Sequence, residues 1–131
     1  MSGAMRKKRV LLVDDNSIVR SAVRRLFDSY PDFKVSGEAE NGREGIEKAA
    51  SLKPDLIVLD LAMPVMNGLD AASEIRKVLP GARLILLTAH NGPEVERLSR
   101  AAGVHAVVPK SQAAVKLIAQ ARALLTPGQE D

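Results

Sequence analysis

Three aspartates in this sequence stand where short apolar runs end. Asp14 and Asp15 directly follow the run at residues 10–13, and Asp60 directly follows the run at residues 56–59. Carboxylates at the ends of buried strands repel one another and lose hydration, so a fold retains such a cluster mainly where it holds a divalent cation. One carboxylate of the set could also act as a nucleophile, as in aspartyl-phosphate chemistry.

Two further polar residues stand at the ends of other apolar runs. Thr88 follows residues 84–87, and Lys110 comes shortly after residues 106–108. A threonine hydroxyl can donate to an anionic oxygen, and a lysine brings a mobile positive charge to a phosphoryl oxygen or a carboxylate. Each residue alone is common in a turn or at a strand end. Together with the aspartates they indicate phosphoryl transfer, which needs positioning and charge neutralisation.

The elements that must bring these residues together are short strands alternating with helices. Runs typical of strands lie at residues 10–13, 33–37, 56–59, 84–87 and 106–108. Their apolar residues are consecutive, as in strands covered on both faces, and the stretches between them have helical periodicity. Five βα units joined by right-handed crossovers predict an α/β fold with a doubly wound parallel sheet, whose strand ends share one edge.

Cap and breaker residues predict where the helices begin and end. Asn16 is placed to cap the first helix, and Asn41 with Glu44 is placed to form a capping box at the second. The third and fourth helices are expected at about residues 69–79 and 92–103. The fifth is expected to begin after a cap at Ser111, with an inner side formed by Val115, Ile118 and Leu125.

Composition excludes several classes of protein. The 131 residues suit one domain, and the absence of cysteine excludes disulfides, thiolate metal sites and thiol nucleophiles. No apolar run approaches the roughly 20 residues of a membrane helix, so we expect a cytoplasmic protein with no membrane partner. Part of the net charge of +3 comes from the basic run at residues 6–9, interpreted as a solvated leader. With two Phe and one Tyr, stacking on single-stranded nucleic acid is not expected.

Taken together, the motifs resemble those of one family. The matching segments are VLLVDD at residues 10–15, PDLIVLD at 54–60, MPVMNG at 63–68, LLTA at 86–89 and GV at 103–104, ending at Lys110. They resemble the receiver domains of bacterial two-component response regulators, most of all the LuxR/NarL type. The resemblance implies a flavodoxin-like sheet with strand order 2-1-3-4-5 and five helices. It places the receiver domain at residues 8–125, a disordered leader or cloning remnant at 1–7, and a disordered tail or linker start at 126–131.

The resemblance also implies a role for each site residue. Asp60 would be the phosphoacceptor in a Mg²⁺-dependent reaction. Asp15 and Asp60 would bind the metal directly, Asp14 would act through a water molecule, and the main-chain carbonyl of Ala62 would be a further ligand. The phosphoryl oxygens would be held by Thr88 and Lys110.

The implied protein is a signalling switch and not an enzyme. A histidine kinase or a phosphotransfer protein would donate the phosphoryl group. Phosphorylation would change the face formed by helix 4, strand 5 and helix 5, through which the chain would form a homodimer or control a transcriptional output. DNA would be bound only through an output domain not contained in these residues.

Some positions depart from the family pattern. Receivers usually carry Tyr or Phe three residues before the lysine, and here that residue is Val107. The positions that tune phosphoryl lifetime are Ala62, which cannot position a water with its side chain, and His90, which we expect to be exposed. His105 is interpreted as a surface turn residue. Pro109 removes a backbone donor, which an edge strand tolerates.

Other functions remain as alternatives. A phosphatase with an aspartate nucleophile would need a second Asp two residues later, where Ala62 stands. A nucleotide or flavin module would need a glycine-rich loop after the first strand, where Asp14 and Asp15 instead repel phosphate. A phosphorylation-independent adaptor gains some support from Val107, and a stand-alone phosphotransfer module is the remaining alternative.

Overall fold

The computed structural model of the protein describes residues 6–126. Within them, five strands alternate with five α-helices, as predicted. The strands are β1 (Lys8–Val13), β2 (Phe33–Ala39), β3 (Leu56–Asp60), β4 (Arg83–Thr88) and β5 (Ala106–Pro109). The helices are α1 (Ser17–Asp28), α2 (Gly42–Leu52), α3 (Gly68–Val78), α4 (Pro93–Ala101) and α5 (Ala113–Leu125), with a short 3₁₀ helix at Lys110–Gln112.

The structure describes only part of the expected leader at residues 1–7 and of the expected tail at residues 126–131. Residues 1–5 and 127–131, which hold most of both segments, lie outside the described residues. Arg6 and Lys7 are exposed and precede β1 without regular secondary structure. Thr126 is exposed and caps the end of α5, where its hydroxyl donates to the carbonyl of Arg122.

The five strands form one parallel sheet in the order β2-β1-β3-β4-β5. This confirms the doubly wound, flavodoxin-like arrangement and the predicted strand order. The chain first moves outward from β1 to β2 and then returns to the other side of β1, so the order reverses between β1 and β3. Ligands of such sheets bind outside the carboxyl ends of the strands at this point.

Helices cover both faces of the sheet. Successive strand side chains point to opposite faces. Val10 and Leu12 of β1 therefore join one core with α1 and α5, whereas Leu11 and Val13 join a second core with α2, α3 and α4. Residues of the inner strands β1, β3 and β4 are almost all fully buried, which explains why their sequences are apolar at consecutive positions.

Two predicted caps are confirmed. The side chain of Asn16 accepts hydrogen bonds from the backbone N–H groups of Ile18 and Val19, at 2.9 and 3.1 Å. Asn41 accepts from Glu44 N–H at 2.9 Å, and the Glu44 carboxylate accepts from Glu40 N–H at 2.6 Å. The second contact reaches one residue beyond the usual capping box, since Glu44 bonds Glu40 and not Asn41.

The predictions for α5 were partly wrong. Ser111 lies inside the 3₁₀ helix and is not a cap, so α5 begins after Gln112, without a side-chain cap. Val115 is 81% exposed, whereas Leu117 is fully buried. Residues two positions apart point about 200° away from each other on a helix, so Val115 cannot share the inner side centred on Leu117. Ile118 and Leu125 do pack against the core, as predicted.

His105 is more than a surface turn residue, which corrects the prediction from sequence. The ring Nδ1 of His105 accepts a hydrogen bond from Leu84 N–H at 3.0 Å. The backbone N–H of His105 donates to the Leu84 carbonyl at 2.9 Å. The side chain thus completes the pairing of β4 just before β5 begins. Burial lowers the pKa of His105, and the charges of Arg76 and Arg83 lower it further.

This geometry predicts a pH-dependent contribution to stability from His105. Protonation would remove the Nδ1 acceptor, so His105 binds the proton less well in the folded chain than in the unfolded chain. In the unfolded chain its pKa has the ordinary value of 6.5. The contribution is fully present above that value and is lost as the pH falls through the lower pKa of the folded state. We expect urea unfolding of His105→Asn to depend less on pH than the wild type between about pH 5 and 7.

The His90→Asn variant is the matched control for losing a histidine, since His90 is exposed and its ring makes no hydrogen bond within residues 6–126. The same pH dependence in wild type and His105→Asn would contradict the assignment.

No helix within the described part of the chain has the length and apolar character needed to cross a membrane.

Candidate functional site

The carboxyl ends of β1 and β3 bring the three aspartates together. Val13 pairs with Leu59 in the sheet, so Asp14 and Asp60 come next to each other on neighbouring strands. One carboxylate oxygen from each of Asp14, Asp15 and Asp60 lies within 4.8 Å of the others. Asp14 and Asp60 are only 5% and 4% exposed, whereas Asp15 is exposed. The three aspartates that follow the apolar runs in the sequence therefore form a cluster in the structure.

Lys110 brings a positive charge to this cluster from the far side of β4. Its ammonium Nζ lies 2.9 Å from Asp60 Oδ1 and 3.8 Å from Asp14 Oδ2. Burial alone would lower the pKa of Lys110, but the hydrogen bond to Asp60 and the charges of the three aspartates outweigh it and raise the pKa. Lys110 is therefore a permanent cation that compensates only part of the negative charge.

The environment of Asp14 shows how crowded the charges are. Burial raises its pKa first of all, and the neighbouring charges of Asp60 and Asp15 raise it further. The hydrogen bond from Asn16 N–H to Asp14 Oδ1, 2.8 Å long, and the charge of Lys110 act in the opposite direction. Since the rise prevails, a further positive charge would relieve the cluster.

The donor set fits a hard divalent cation such as Mg²⁺. All the side-chain donors are carboxylate oxygens, and Mg²⁺ is typically held by one or two carboxylates and several waters. The exposure of Asp15 leaves the cluster open to solvent on one side. Ala62 is exposed in the loop after β3, and its carbonyl accepts no hydrogen bond from residues 6–126. A metal-ligating role for that carbonyl stays a prediction.

Thr88 ends β4 as predicted, but its hydroxyl makes other contacts. The side chain is 1% exposed, and Oγ1 donates to the His90 carbonyl at 2.8 Å and accepts from His90 N–H at 3.0 Å. These bonds tie the end of β4 to the loop that leads into α4. The structure thus brings Asp14, Asp15, Asp60 and Lys110 into contact and holds the Thr88 hydroxyl on the adjoining loop.

We expect Thr88→Val to destabilise the folded chain by about 1–3 kcal/mol. Valine has nearly the same shape, but it removes both partly buried hydrogen bonds between the Thr88 hydroxyl and the backbone of His90, each worth about 0.5–1.5 kcal/mol. Thr88→Ser keeps the hydroxyl and serves as the control, with a much smaller loss. Urea unfolding of both variants measures the difference, and equal loss in both would contradict the role of the hydroxyl.

The loop between β3 and α3 fixes the position of Asp60. Met66 N–H donates to the Pro64 carbonyl at 2.7 Å across Val65, whose φ of +70° is unusual for a β-branched residue. Gly68 N–H donates to the Leu61 carbonyl at 2.8 Å. A Cβ at Gly68 would overlap the Asp60 carbonyl oxygen, so α3 can start this close to β3 only with glycine.

Two site-shaping residues received no role from the sequence, namely Gly68 and Arg20. Glycine is a poor helix former, so its place as first residue of α3 is a signal of close packing that could have been noticed. Arg20 donates to the Asp14 carbonyl at 2.6 Å and pairs with Glu38, which is 18 residues away. A pairing over that distance leaves no local pattern.

Fold and site together define a doubly wound α/β domain with an acidic pocket, suited to a divalent cation, at the switch point of the strand order. The sequence model of the response regulator receiver domain matches residues 10–122. The chain belongs to the response regulator receiver domain family. Such receiver domains are generally switches of two-component signalling.

Individual relatives are similar over most of the domain. The chain is 45% identical over 85 residues to the nitrate/nitrite response regulator NarL of Escherichia coli. The aligned residues cover 65% of this chain and 39% of NarL. It is 45% identical over 82 residues to the chemotaxis protein CheY of Thermotoga maritima, covering 63% of this chain and 68% of CheY. The chain thus spans about two fifths of the length of NarL, and the similarity includes both NarL-type and chemotaxis proteins.

Solved structures agree with this placement. A LuxR-family response regulator from Aurantimonas superposes with a TM-score of 0.87 at 33% identity, over 91% of this chain and 85% of the other. The response regulator domain of Thermotoga maritima CheB superposes with a TM-score of 0.85 at 32% identity, over 93% of this chain and all of that domain.

Proposed function

We propose that the protein is a phosphorylation-activated receiver in which Asp60 accepts a phosphoryl group in a Mg²⁺-dependent reaction. The observation that carries the proposal is the contact of 2.9 Å between Lys110 Nζ and a buried Asp60 carboxylate inside a cluster of three aspartates. A buried carboxylate with both an ammonium partner and neighbouring metal-type donors is suited to phosphoryl transfer, which depends on positioning and charge neutralisation.

The donor is a phosphohistidine of a histidine kinase or of a phosphotransfer protein. An oxygen of Asp60 attacks the phosphorus in line, so a P–O bond forms while the P–N bond to the imidazole breaks. The electron pair of the broken bond stays on the imidazole nitrogen, and the product on this chain is an acyl phosphate. Lys110 stays beside the phosphorylated side chain and balances part of its charge.

Mg²⁺, where bound, would neutralise the negative charge of the phosphoryl oxygens. Asp15 and Asp60 would hold it directly, Asp14 through a water molecule, and the main-chain carbonyl of Ala62 would complete the protein ligands. The all-oxygen donor set, with one oxygen of each aspartate within 4.8 Å of the others, supports a hard cation at this site. The role of Asp14 is then to balance charge and to order water next to Asp60.

The switch follows from the charge that phosphorylation adds, about −1.5 to −2 at neutral pH. The new oxygens compete for the Thr88 hydroxyl, which is now bonded to His90, and so pull on the loop before α4. Helix α4 is suited to move because Ser99 is its one buried residue, and the Ser99 hydroxyl has no hydrogen-bond partner within residues 6–126. The face of α4, β5 and α5 would then change its shape.

The partners of that face extend the proposal. We assign residues 8–125 to the receiver domain and place the protein in the cytoplasm. The changed face pairs with a second copy or controls a transcriptional output domain of the NarL type, and DNA is bound only through that output domain. The site residues act on their own phosphorylation and dephosphorylation, so the chain is a switch and not an enzyme.

Val107 supports a second candidate, a receiver-like adaptor that works without phosphorylation. It lies in β5, is partly buried against the core shared with α2 and α3, and offers no ring that could turn inward with Thr88. The intact set of acidic residues and Lys110 favours the phosphorylated switch over the adaptor.

The proposal is tested by incubating the protein with acetyl phosphate and Mg²⁺ and measuring its intact mass. One added phosphoryl group is expected with Mg²⁺, and none after chelation of the metal. Absence of an adduct with this small donor and with a cognate kinase would leave the adaptor as the better reading.

A further inference from the structure

The chain segment that carries Asp14 and Asp15 is held by a pair of charges from outside the acidic cluster. Arg20 of α1 donates through Nη1 to the Asp14 carbonyl oxygen at 2.6 Å and through Nε to Glu38 Oε1 at 2.7 Å. Its side chain is only 13% exposed. Glu38 stands near the carboxyl end of β2, so Arg20 joins three elements at the edge of the site.

The peptide plane after Asp14 is therefore fixed through its carbonyl oxygen. The carbonyl of Asp14 and the N–H and Cα of Asp15 lie in one plane, since the peptide bond is rigid. The other side of Asp14 is also fixed, because Asp14 N–H donates to the Ala39 carbonyl at 3.0 Å. Asn16 N–H, which belongs to the peptide group after Asp15, donates to Asp14 Oδ1 at 2.8 Å. These contacts together set the direction in which Asp15 leaves the backbone.

Asp15 needs such support because nothing holds its side chain directly. It is exposed, and its carboxylate makes no hydrogen bond or ion pair with any other residue in the range 6–126. Asp14 differs, since its carboxylate is buried and accepts from Asn16 N–H. The backbone plane is thus what positions the outermost carboxylate of the cluster.

We infer that Arg20, held by Glu38, is a positioning residue that sets the cation affinity of the acidic site by fixing the Asp14–Asp15 peptide plane. The inference rests on the proposed function in one respect, that the cluster binds Mg²⁺. Arginine suits the position because its rigid fork can donate to a carbonyl and a carboxylate together, which lysine cannot do with the same geometry.

The sign of the effect separates positioning from simple electrostatics. Arg20 is a cation near the acidic cluster and repels Mg²⁺. If electrostatics alone acted, removing its charge would therefore tighten Mg²⁺ binding. Positioning predicts the opposite, because an Asp15 carboxylate that is no longer held must be ordered when the metal binds. Residues that orient metal ligands commonly change affinity by about 10- to 100-fold when they are replaced.

Arg24 is the matched control on the same helix. It also binds Glu38, through Nη1 to Oε2, but it makes no contact with the Asp14 carbonyl and is 44% exposed. Removal of Arg24 takes away a similar charge and a bond to the same carboxylate. Arg24 is more exposed and also pairs with Asp28, at 3.7 Å, but of the two arginines only Arg20 contacts the backbone of Asp14.

The experiment is a Mg²⁺ titration of wild type, Arg20→Ala and Arg24→Ala, followed by amide chemical shifts. We expect Arg20→Ala to bind Mg²⁺ about 10-fold or more weakly and Arg24→Ala to bind like the wild type. Before any metal is added, the Asp15 amide signal should shift in Arg20→Ala alone, since its peptide group has lost the hydrogen bond to the carbonyl. If Arg20→Ala does not fold, Arg20→Lys takes its place, with an intermediate loss expected.

Unchanged or tighter Mg²⁺ binding by the Arg20 variant, or equal loss in both variants, would overturn the inference. Failure of the wild type to bind Mg²⁺ would instead overturn the proposed metal site itself, together with the inference that depends on it. The two failures are distinguished by the wild-type titration alone.

Discussion

Asp60→Asn is expected to abolish phosphoryl uptake from acetyl phosphate or a kinase while leaving the fold intact. Asparagine offers no carboxylate nucleophile, but it has nearly the same shape, and its amide oxygen can still accept from Lys110. It also removes a charge that lies within 4.8 Å of two other carboxylates. The variant should therefore be at least as stable as the wild type when no Mg²⁺ is present.

The measurements are intact mass after incubation with the donor, and urea unfolding without the metal. Asp55→Asn is the matched control, because Asp55 immediately precedes β3, at the end of the sheet opposite the site, where its carboxylate accepts from Arg9 N–H at 2.8 Å. Asp55→Asn should take up the phosphoryl group like the wild type. Full uptake by Asp60→Asn would place the acceptor on another residue.

Gly68→Ala is expected to destabilise the protein by about 3 kcal/mol or to prevent folding, the upper part of the range for overpacking. The added methyl group would overlap the Asp60 carbonyl oxygen and lie 3.0 Å from both the Asp60 carbonyl carbon and the Leu61 Cα. These are backbone atoms at the end of a fully buried strand, so they cannot move as a flexible side chain could. Relief of the clash would displace Asp60 from Lys110.

Gly81→Ala is the control for a glycine replaced by alanine, because a Cβ at Gly81 would meet nothing within 4 Å. Urea unfolding of both variants should show a large loss for Gly68→Ala and a small change for Gly81→Ala. Where Gly68→Ala still folds, its phosphoryl uptake should be slower than that of the wild type. A stable and fully reactive Gly68→Ala would contradict the close contact between β3 and α3.

The strand ends could be predicted from sequence because two local rules act together. Consecutive apolar residues mark strands buried on both faces, and the parallel arrangement places all their carboxyl ends at one edge. Asp14, Asp60 and Lys110 meet there for this reason, although they are far apart in the chain. The caps at Asn16 and Asn41 were equally local, since their partners are two or three residues away.

What could not be predicted depends on contacts between distant segments or on side-chain rotation. The bond of His105 to Leu84 and the pair of Arg20 with Glu38 arise only once the sheet has formed. Val115 was placed on the inner side because it lies three residues before Ile118, but the side that packs is centred on Leu117 and leaves Val115 exposed. The Thr88 hydroxyl turns toward the backbone of the next loop, a choice of rotamer that no sequence pattern records.

The most direct test of the phosphoacceptor site is to find the residue that carries the phosphoryl group. After reaction with acetyl phosphate and Mg²⁺, borohydride reduces an aspartyl phosphate to homoserine, and peptide mass spectrometry then locates that change. We expect homoserine at position 60 and at no other aspartate. Modification at Asp14 or Asp15 instead, or a phosphoryl group on a serine or histidine with Asp60 unmodified, would contradict it.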